Sequence, residues 1–301
     1  KRYKYYNVDL SEYNKVEKVL NDINPDAIFH LAAESHVDRS IDDPNPFIKS
    51  NILGTYNLLE VSRSFFNGLS YKRKNEFRFL HISTDEVFGS LGEVGFFDET
   101  SNYDPRSPYS ASKASSDHLV KAWFYTYDLP TIICNCSNNY GPWQFPEKFI
   151  PNIVLKALNG EFIPIYGDGE NVRDWLFVED HVDALISIFL KGCPGSSFCI
   201  GGNNEKTNIE LALYICDYLD NINPREKKYS NLIKFVDDRP GHDKRYGIDS
   251  RKIKSLLDWE EKYSFEEGIK KTINWYLKNK LWCQKMLNKS KYNGERLGIN
   301  I

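Results

Sequence analysis

The chain has 301 residues and a net charge of −3 at pH 7, with 41% hydrophobic and 27% charged residues. This balance is typical of a soluble globular protein with one large domain or two lobes. The weak net charge argues against a nucleic acid or an anionic membrane as partner. No apolar run reaches the roughly 20 residues that a membrane helix needs, and no signal peptide is visible.

The six cysteines and six histidines narrow the chemistry further. None of the cysteines forms a Cys-x-x-Cys pair, which indicates free thiols in a reducing compartment, so we expect a cytoplasmic protein. No His-x-x-x-His motif occurs, so no metal site is expected.

Strands and helices alternate along the first half of the chain. Apolar runs predict strands over residues 4–8, 27–31, 77–83 and 131–135. Between them, helices are expected to begin near Ser11, which is the predicted N-cap, near Asp43, from which the helix continues to about Phe66, and at Pro108. This alternation is the pattern of a parallel, doubly wound α/β sheet.

The sequence pattern changes near residue 140, where the predicted elements become shorter and proline, glycine and aromatic residues cluster. We place the first lobe at 1–140 and a smaller second lobe mainly at 141–301. Segments near 176–207 and 256–282 are expected to return to the first lobe. The elements predicted beyond residue 140 are helices over 149–158, 179–190, 208–219 and 265–277, and a short strand over 163–166.

A strand whose apolar residues are Phe77, Phe79, Leu80 and Ile82 ends at the polar run Ser-Thr-Asp-Glu, and we predict it to be buried. Open α/β sheets hold their ligands where the strands end. Asp85 and Glu86 supply two carboxyl groups at this point, enough for one general acid and one general base. The strand end is therefore a candidate catalytic site.

The helix that follows places Tyr109 and Lys113 four residues apart, on one face. A nearby ammonium favours ionisation of a phenol, whose reference pKa is about 10. Such a phenol removes a proton from a sugar hydroxyl while the carbon beneath loses a hydride, and Thr84 is placed to bind the same oxygen. The same spacing occurs at Tyr276 and Lys280, where we expect only an amphipathic helix. The prediction that Tyr109 and Lys113 are catalytic therefore depends largely on the polar strand end that precedes them.

Small residues follow the strand predicted at 27–31, in the run from Ala32 to Ser35. They allow the backbone to approach a ligand closely, although an ordinary tight turn accounts for them equally well.

Longer blocks surround these motifs, at His30–Ser40, Ser83–Glu86, Ser107–His118, Asn135–Pro142, Arg173–Trp175 and Asp238–His242. With them, the chain resembles the dTDP-glucose 4,6-dehydratase family of the extended short-chain dehydrogenase/reductase superfamily, from Asp9 to its end. Tyr-x-x-x-Lys is typical of the whole superfamily, whereas Thr-Asp-Glu after the strand and Asp-Arg-Pro-Gly-His are much more specific. The resemblance implies a Rossmann-type NAD-binding lobe at 1–140 and a smaller α/β lobe that binds the sugar nucleotide.

The resemblance also implies a reaction. Tyr109, assisted by Lys113, takes the proton of the C4 hydroxyl while NAD takes the C4 hydride. Glu86 then removes the C5 proton, and Asp85 protonates the departing C6 hydroxyl. Return of the hydride to C6 gives the 4-keto-6-deoxy sugar nucleotide, so the cofactor ends unchanged.

Binding residues are implied in the same way. The positions similar to the family's NAD contacts are Asp9, Leu10, Leu31, Ala32, Ala33, Glu34, Ser35, Ser50, Tyr109, Lys113 and Asn139. The positions similar to its contacts with dTDP-glucose are Ser35, Thr84, Asn138, Lys148, Phe149, Pro164, Ile165, Tyr166, Arg173, Asn208, Asp238, Arg239, Pro240, Gly241 and His242. The guanidinium groups of Arg173 and Arg239 suit a pyrophosphate, although a surface ion pair is the alternative for each. A homodimer is expected, with helices over 46–66 and 109–127 as the interface.

Two features depart from the family. Phe88 stands where tyrosine is common, and the 301 residues contain no Gly-x-x-Gly-x-x-Gly loop, which in the family precedes the segment that begins here. The rivals are a sugar-nucleotide epimerase or decarboxylase of the superfamily, neither of which needs the pair of Asp85 and Glu86, and an inactive fragment that only binds the sugar nucleotide.

Overall fold

A computed structural model describes residues 2–290 of the chain. Its strands are β1 (Ala27–His30), β2 (Arg78–Thr84), β3 (Thr131–Cys136), β4 (Asn138–Tyr140), β5 (Ile163–Tyr166), β6 (Val172–Phe177), β7 (Ser197–Ile200), β8 (Glu205–Thr207) and β9 (Ile233–Val236). The main sheet has the order β1-β2-β3-β7, and all its strands are parallel. This is the α/β parallel sheet expected from the alternation of elements.

Helices connect these strands. They are α1 (Tyr13–Ile23), α2 (Val37–Asp42), α3 (Asn45–Phe47), α4 (Gly54–Asn67), α5 (Tyr71–Glu76), α6 (Pro108–Tyr127), α7 (Phe149–Asn159), α8 (Val178–Lys191), α9 (Asn208–Ile222), α10 (Arg251–Leu257), α11 (Phe265–Lys278) and α12 (Lys280–Ser290). A π-helical segment, Ile48–Leu53, joins α3 to α4, so the long helix predicted from Asp43 is present with a local change of winding. Within residues 2–290, none of these helices has the length and apolar character to cross a bilayer.

Both faces of the main sheet are covered. Phe79 and Ile133 pack on one face against α1, α4 and α6, while Leu80 and Ile132 pack on the other against α8 and α10. Adjacent residues of a strand point to opposite faces, so β2 and β3 need consecutive apolar residues, as Phe79-Leu80 and Ile132-Ile133 provide. This explains why both strands could be recognised as short apolar runs without strict alternation.

The second lobe has its own core. Its strands form a sheet of order β4-β6-β8 and a pair β5-β9. The apolar faces of α7, α9 and α11 pack together around Ile153, Leu211 and Ile269, which are all buried. The cleft between this core and the main sheet faces the carboxyl end of β2.

Three local expectations differ from the structure. Residues 4–8 form no strand, so that prediction is wrong; the side chains of Lys4 and Tyr6 bind Asp22 on α1. Ser11 does not cap the first helix: its N–H donates to Asp9 in a turn at 2.9 Å, and the helix begins two residues later.

The segment 256–282 divides between the two cores, which differs from the expected return to the first lobe. Leu257 and Trp259 pack beneath the main sheet, whereas Phe265 and Tyr276 lie in the core of the second lobe. The amphipathic helix α11 has one apolar face, and that face covers the second lobe.

Candidate active site

The end of β2 turns sharply, which buries the carboxyl group of Asp85 and leaves that of Glu86 half-buried. The hydroxyl of Thr84 accepts a hydrogen bond from the N–H of Glu86 at 3.3 Å, which starts a single 3-10 turn over Asp85–Phe88. The turn holds Asp85 and Glu86 at the carboxyl end of the sheet, next to the cleft, as the sequence predicts.

The start of α6 is fixed by a capping box. Ser107 accepts from the N–H of Ser110 at 3.0 Å, and Ser110 returns a bond to the N–H of Ser107. The first turns therefore point Tyr109 and Lys113 toward β2. Both residues are buried, and Lys113 Nζ donates to the carbonyl of Ile82 at 2.8 Å.

Asp85 is set up to hold a proton. Burial raises the pKa of Asp85 well above its ordinary value, and the neighbouring Glu86 raises it further. Thr84 donates a hydrogen bond to Oδ1 at 3.2 Å, while Oδ2 is buried without a partner among residues 2–290. A protonated carboxyl with one unsatisfied oxygen is suited to act as a general acid.

Glu86 is more easily ionised. Burial raises the pKa of Glu86, but Arg239, Arg173 and Lys148 oppose that rise. The neighbouring Asp85 lacks such a set of three cations. Both carboxyl pKa values are raised, but several cations oppose the rise at Glu86, so Glu86 is the more easily ionised of the two and suits the role of base beside an acidic Asp85.

The phenol of Tyr109 does not have the lowered pKa expected from its spacing to Lys113. Burial and then the carboxylate of Glu86 raise the pKa of Tyr109 well above 10, and only a hydrogen bond with Thr84 opposes this. Lys113 instead donates to the carbonyl of Ile82. Burial lowers the pKa of the Lys113 ammonium, and Asp117 partly offsets that effect.

A cavity of about 300 Å³ adjoins Glu86 in the cleft. Among the residues predicted to bind substrate or cofactor, those that line it are Ser35, Asn138, Asn139, Lys148, Phe149, Pro164, Tyr166, Arg173, Asn208, Arg239 and His242. They come from the main sheet and from the second lobe. The structure therefore brings most of the predicted substrate positions to one place.

Two cations of the cavity are held by different partners. The guanidinium of Arg173 donates to the carbonyls of Val172 at 2.7 Å and Asp243 at 3.0 Å, and it stacks over the ring of Tyr246 at 4.2 Å. Its direct partners are neutral, and the carboxyl groups of Glu86 and Asp85 interact with its charge without bonding to it. Arg239 instead forms an ion pair with a carboxylate of the first lobe.

One predicted substrate position has its side chain elsewhere. Pro164 and Tyr166 line the cavity, whereas Ile165 between them is fully buried in the core of the second lobe. Alternation along β5 enforces this, because successive side chains of a strand point to opposite faces. The prediction for Ile165 is therefore wrong for its side chain, and only its backbone remains available to a ligand.

Most of the positions predicted to contact the cofactor lie outside this cavity, along the neighbouring strand ends. Leu31 is 60% exposed directly after β1, and Ala32, Glu34 and Ser35 are exposed as well. Asp9 carries an exposed carboxylate that pairs with Lys49 at 3.3 Å. An exposed apolar side chain beside small residues at a sheet's carboxyl edge is the surface that a dinucleotide needs.

Several residues that line the cavity were not predicted. They are His36, Val37, Asp38, Gln144, Glu147, Asn152, Ile153, Phe162, Trp175, Val236 and Tyr246. His36 and Asp38 belong to a block already singled out, and Glu147 precedes the predicted Lys148, so proximity in sequence was the available signal. Tyr246 carried no such signal.

A buried polar network lies behind the catalytic groups. Asp117, one turn after Lys113 on α6, accepts hydrogen bonds at Oδ2 from Ser83 at 2.8 Å, Tyr103 at 3.0 Å and Asn135 at 3.2 Å. Its Oδ1 lies 3.1 Å from His81 Nε2. The carboxylate thereby fastens α6 to both central strands.

Comparison with known proteins agrees with this site. A family profile described as GDP-mannose 4,6 dehydratase matches residues 1–272. The dTDP-glucose 4,6-dehydratase 1 of Escherichia coli (strain K12) is 53% identical over 290 residues, which cover 93% of this chain and 80% of that protein. Both proteins are therefore related over nearly their whole common length.

Solved structures resemble the fold as closely. A dTDP-glucose 4,6-dehydratase from Bacillus anthracis in complex with NAD has a TM-score of 0.83 and 41% identity, covering 94% of this chain and 83% of its own. The enzyme from Streptomyces venezuelae with NAD and TYD bound has a TM-score of 0.84 and 39% identity, covering 93% and 81%. The chain therefore belongs to the dTDP-glucose 4,6-dehydratase family of the extended short-chain dehydrogenases/reductases.

Proposed function

We propose that the protein is an NAD-dependent hydro-lyase that converts dTDP-glucose to dTDP-4-keto-6-deoxyglucose. The observation that carries the proposal is the adjacent pair of a buried Asp85, whose pKa is raised well above its ordinary value, and a half-buried Glu86, whose rise in pKa is opposed by three cations. Elimination of water across C5 and C6 needs both an acid and a base on neighbouring carbons. An epimerase or decarboxylase of this superfamily has no use for the pair.

Each residue then has one task. Tyr109, with Thr84 hydrogen-bonded to it, receives the proton of the C4 hydroxyl, so it has to react as the phenolate although burial raises its pKa. We assign the Lys113 ammonium, on the same helix face, to favour that phenolate. Glu86 takes the C5 proton, which the C4 ketone has acidified. Asp85 gives its proton to the C6 hydroxyl, which leaves as water.

NAD fits the open edge of the main sheet. The residues that would hold it are Asp9, Leu10, Leu31 to Ser35, Ser50, Tyr109, Lys113 and Asn139. When bound, it supplies the oxidation at C4 and the later reduction at C6. An exposed apolar surface and an exposed carboxylate for a ribose hydroxyl support this placement.

The nucleotide occupies the far end of the cavity. Arg173 and Arg239 bind the diphosphate, because guanidinium groups form paired hydrogen bonds with phosphate oxygens. The remaining substrate contacts are Ser35, Thr84, Asn138, Lys148, Phe149, Pro164, the backbone of Ile165, Tyr166, Asn208 and the loop from Asp238 through Pro240 and Gly241 to His242. The aromatic and apolar members of this set provide surface for the base.

The two lobes bind different ligands in this proposal. Residues 1–140, together with the strand β7 and the helix α8, form the NAD-binding lobe, and most of residues 141–290 forms the substrate lobe. Residues 291–301 of the predicted second lobe lie outside the residues that the structure describes. The cysteines among residues 2–290 are all free thiols, which supports a location in the cytoplasm.

A homodimer is part of the same proposal. The helices over 46–66 and 109–127 expose Ile48, Leu53, Tyr56 and Tyr125 to between 42% and 78%. Apolar side chains on two adjacent helices favour association of a second copy. Light scattering should give twice the chain mass, and Tyr56→Glu should shift the protein toward the monomer; a monomeric wild type would exclude the dimer.

The reaction is tested with the purified protein and dTDP-glucose. Because the hydride returns to its own substrate, a catalytic amount of NAD should suffice, and the product should be identified as the 4-keto-6-deoxy sugar nucleotide by mass and carbonyl absorbance. Stoichiometric consumption of NAD, or a product that retains the mass of the substrate, would contradict the proposal.

A further inference from the structure

Asp38 is a buried carboxylate on the wall of the cavity. It lies in α2, in the lobe of the main sheet, and only 6% of it is exposed. Arg239 and Lys148 line the same cavity, where the proposed function places a diphosphate. A carboxylate repels such a ligand, so it has to contribute something that outweighs the repulsion.

Its contacts show what it contributes. Arg239 Nη1 donates to Asp38 Oδ1 at 2.7 Å, and the hydroxyl of Tyr166 donates to Oδ2 at 2.9 Å. Both partners belong to the second lobe and both line the cavity. One carboxylate of the first lobe thereby fixes two side chains of the other.

Arg239 depends on this contact more than Arg173 does. Arg173 extends from β6 and is anchored by backbone carbonyls and by the ring of Tyr246. Arg239 extends from a loop after β9, and Asp38 is the acceptor that orients its guanidinium. Its Nε is buried and has no hydrogen-bond partner within residues 2–290, so a donor remains for a ligand.

We propose that Asp38 is a positioning residue for substrate binding, whose two oxygens hold Arg239 and Tyr166 in the orientation that receives the nucleotide diphosphate. The role rests on the proposed function, which assigns the diphosphate to Arg239. An arginine that is already ordered loses less side-chain freedom when it binds its ligand.

Two substitutions at Asp38 distinguish the loss of its negative charge from the loss of the hydrogen bonds that orient Arg239 and Tyr166. Asp38→Ala and Asp38→Asn remove the same charge, but the asparagine still accepts from Arg239 and still has a group for the hydroxyl of Tyr166. We expect Asp38→Ala to raise the KM for dTDP-glucose and the calorimetric Kd for dTDP about tenfold above those of Asp38→Asn, as loss of two hydrogen bonds would. The kcat values should agree within about threefold.

The control is an exposed ion pair outside the cavity lining. Arg251 pairs with Asp249 and its side chain is 89% exposed, so Arg251→Gln should change KM less than about twofold. Equal KM and Kd for the two Asp38 variants, a loss confined to kcat, or an equal rise in Arg251→Gln would each overturn the role. If the wild type fails to convert dTDP-glucose, the proposed function fails, while titration with dTDP still tests Asp38.

Discussion

The two ends of the cavity are built in different ways. At the catalytic end, Glu86 lines the cavity and is half-buried, whereas Asp85, Tyr109 and Lys113 are buried outside its lining, and burial is the main cause of each pKa shift. At the nucleotide end, cations are held by carbonyls, an aromatic ring and an ion pair between the lobes. Burial therefore shifts the pKa values of the groups that transfer protons, whereas hydrogen bonds and a ring contact orient the cations that bind the nucleotide.

The largest effects are expected at the catalytic end. Tyr109→Phe and Glu86→Gln should each lower kcat by about 10²–10⁴-fold, because each removes a proton acceptor. They should stop the reaction at different points. Absorbance of the reduced cofactor should build up in Glu86→Gln, where C4 oxidation still occurs, and should be absent in Tyr109→Phe.

Tyr71→Phe provides the control for that pair of variants. Tyr71 lies on α5, outside the proposed interface, and is 83% exposed, so its loss should leave kcat unchanged. If both catalytic variants gave the same spectrum, the separate roles of phenol and carboxylate would be wrong.

A substitution of Asp117 tests whether the buried polar network behind the catalytic groups stabilises the fold. Burial raises the pKa of Asp117, but His81, Lys113 and Ser83 lower it below the ordinary value overall. Asp117→Asn should reduce the free energy of unfolding by about 3 kcal/mol in urea denaturation, the usual scale for breaking a buried charged network. The matched variant Asp26→Asn removes a carboxylate that is 87% exposed and should change stability little.

At the nucleotide end, Arg173→Lys should raise the KM for dTDP-glucose about tenfold while kcat changes less than about threefold. An ammonium cannot reproduce the planar contacts with two carbonyls and the ring of Tyr246, which together orient the charge. Arg251→Lys, at an exposed ion pair, should leave KM unchanged. A loss in kcat equal to the rise in KM would place Arg173 in the chemical step instead.

The sequence predicted the catalytic end better than the nucleotide end, for a physical reason. Thr84 to Glu86 and the pair of Tyr109 and Lys113 are local motifs on a strand end and a helix face. The role of Asp38 was not predicted, because its partner Arg239 lies 201 residues away and no local sequence pattern indicates the contact. The raised pKa of Tyr109 was missed because it follows from burial, which spacing along a helix does not reveal.

His181 lies beside the predicted cofactor contact Asn139. Its Nδ1 is 2.8 Å from Asn139 Oδ1, and Nε2 is buried without a partner within residues 2–290. Asn139 Nδ2 already donates to the carbonyl of Ser137, so Oδ1 accepts and the imidazole proton sits on Nδ1. Burial lowers the pKa of His181 to about 4.

A histidine pKa that is lowered in the folded state makes stability depend on pH with a defined sign. Below about pH 6.5, His181 binds a proton in the unfolded chain, whereas in the folded chain it stays neutral down to about pH 4. The free energy of unfolding therefore falls as the pH falls from about 6.5 to about 4. His181 alone contributes a slope of up to about 1.4 kcal/mol per pH unit. Urea denaturation at several pH values should show a smaller slope in His181→Gln than in the wild type, whatever the offset in stability at pH 7. Equal slopes would mean that the buried imidazole already accepts a proton in the folded protein.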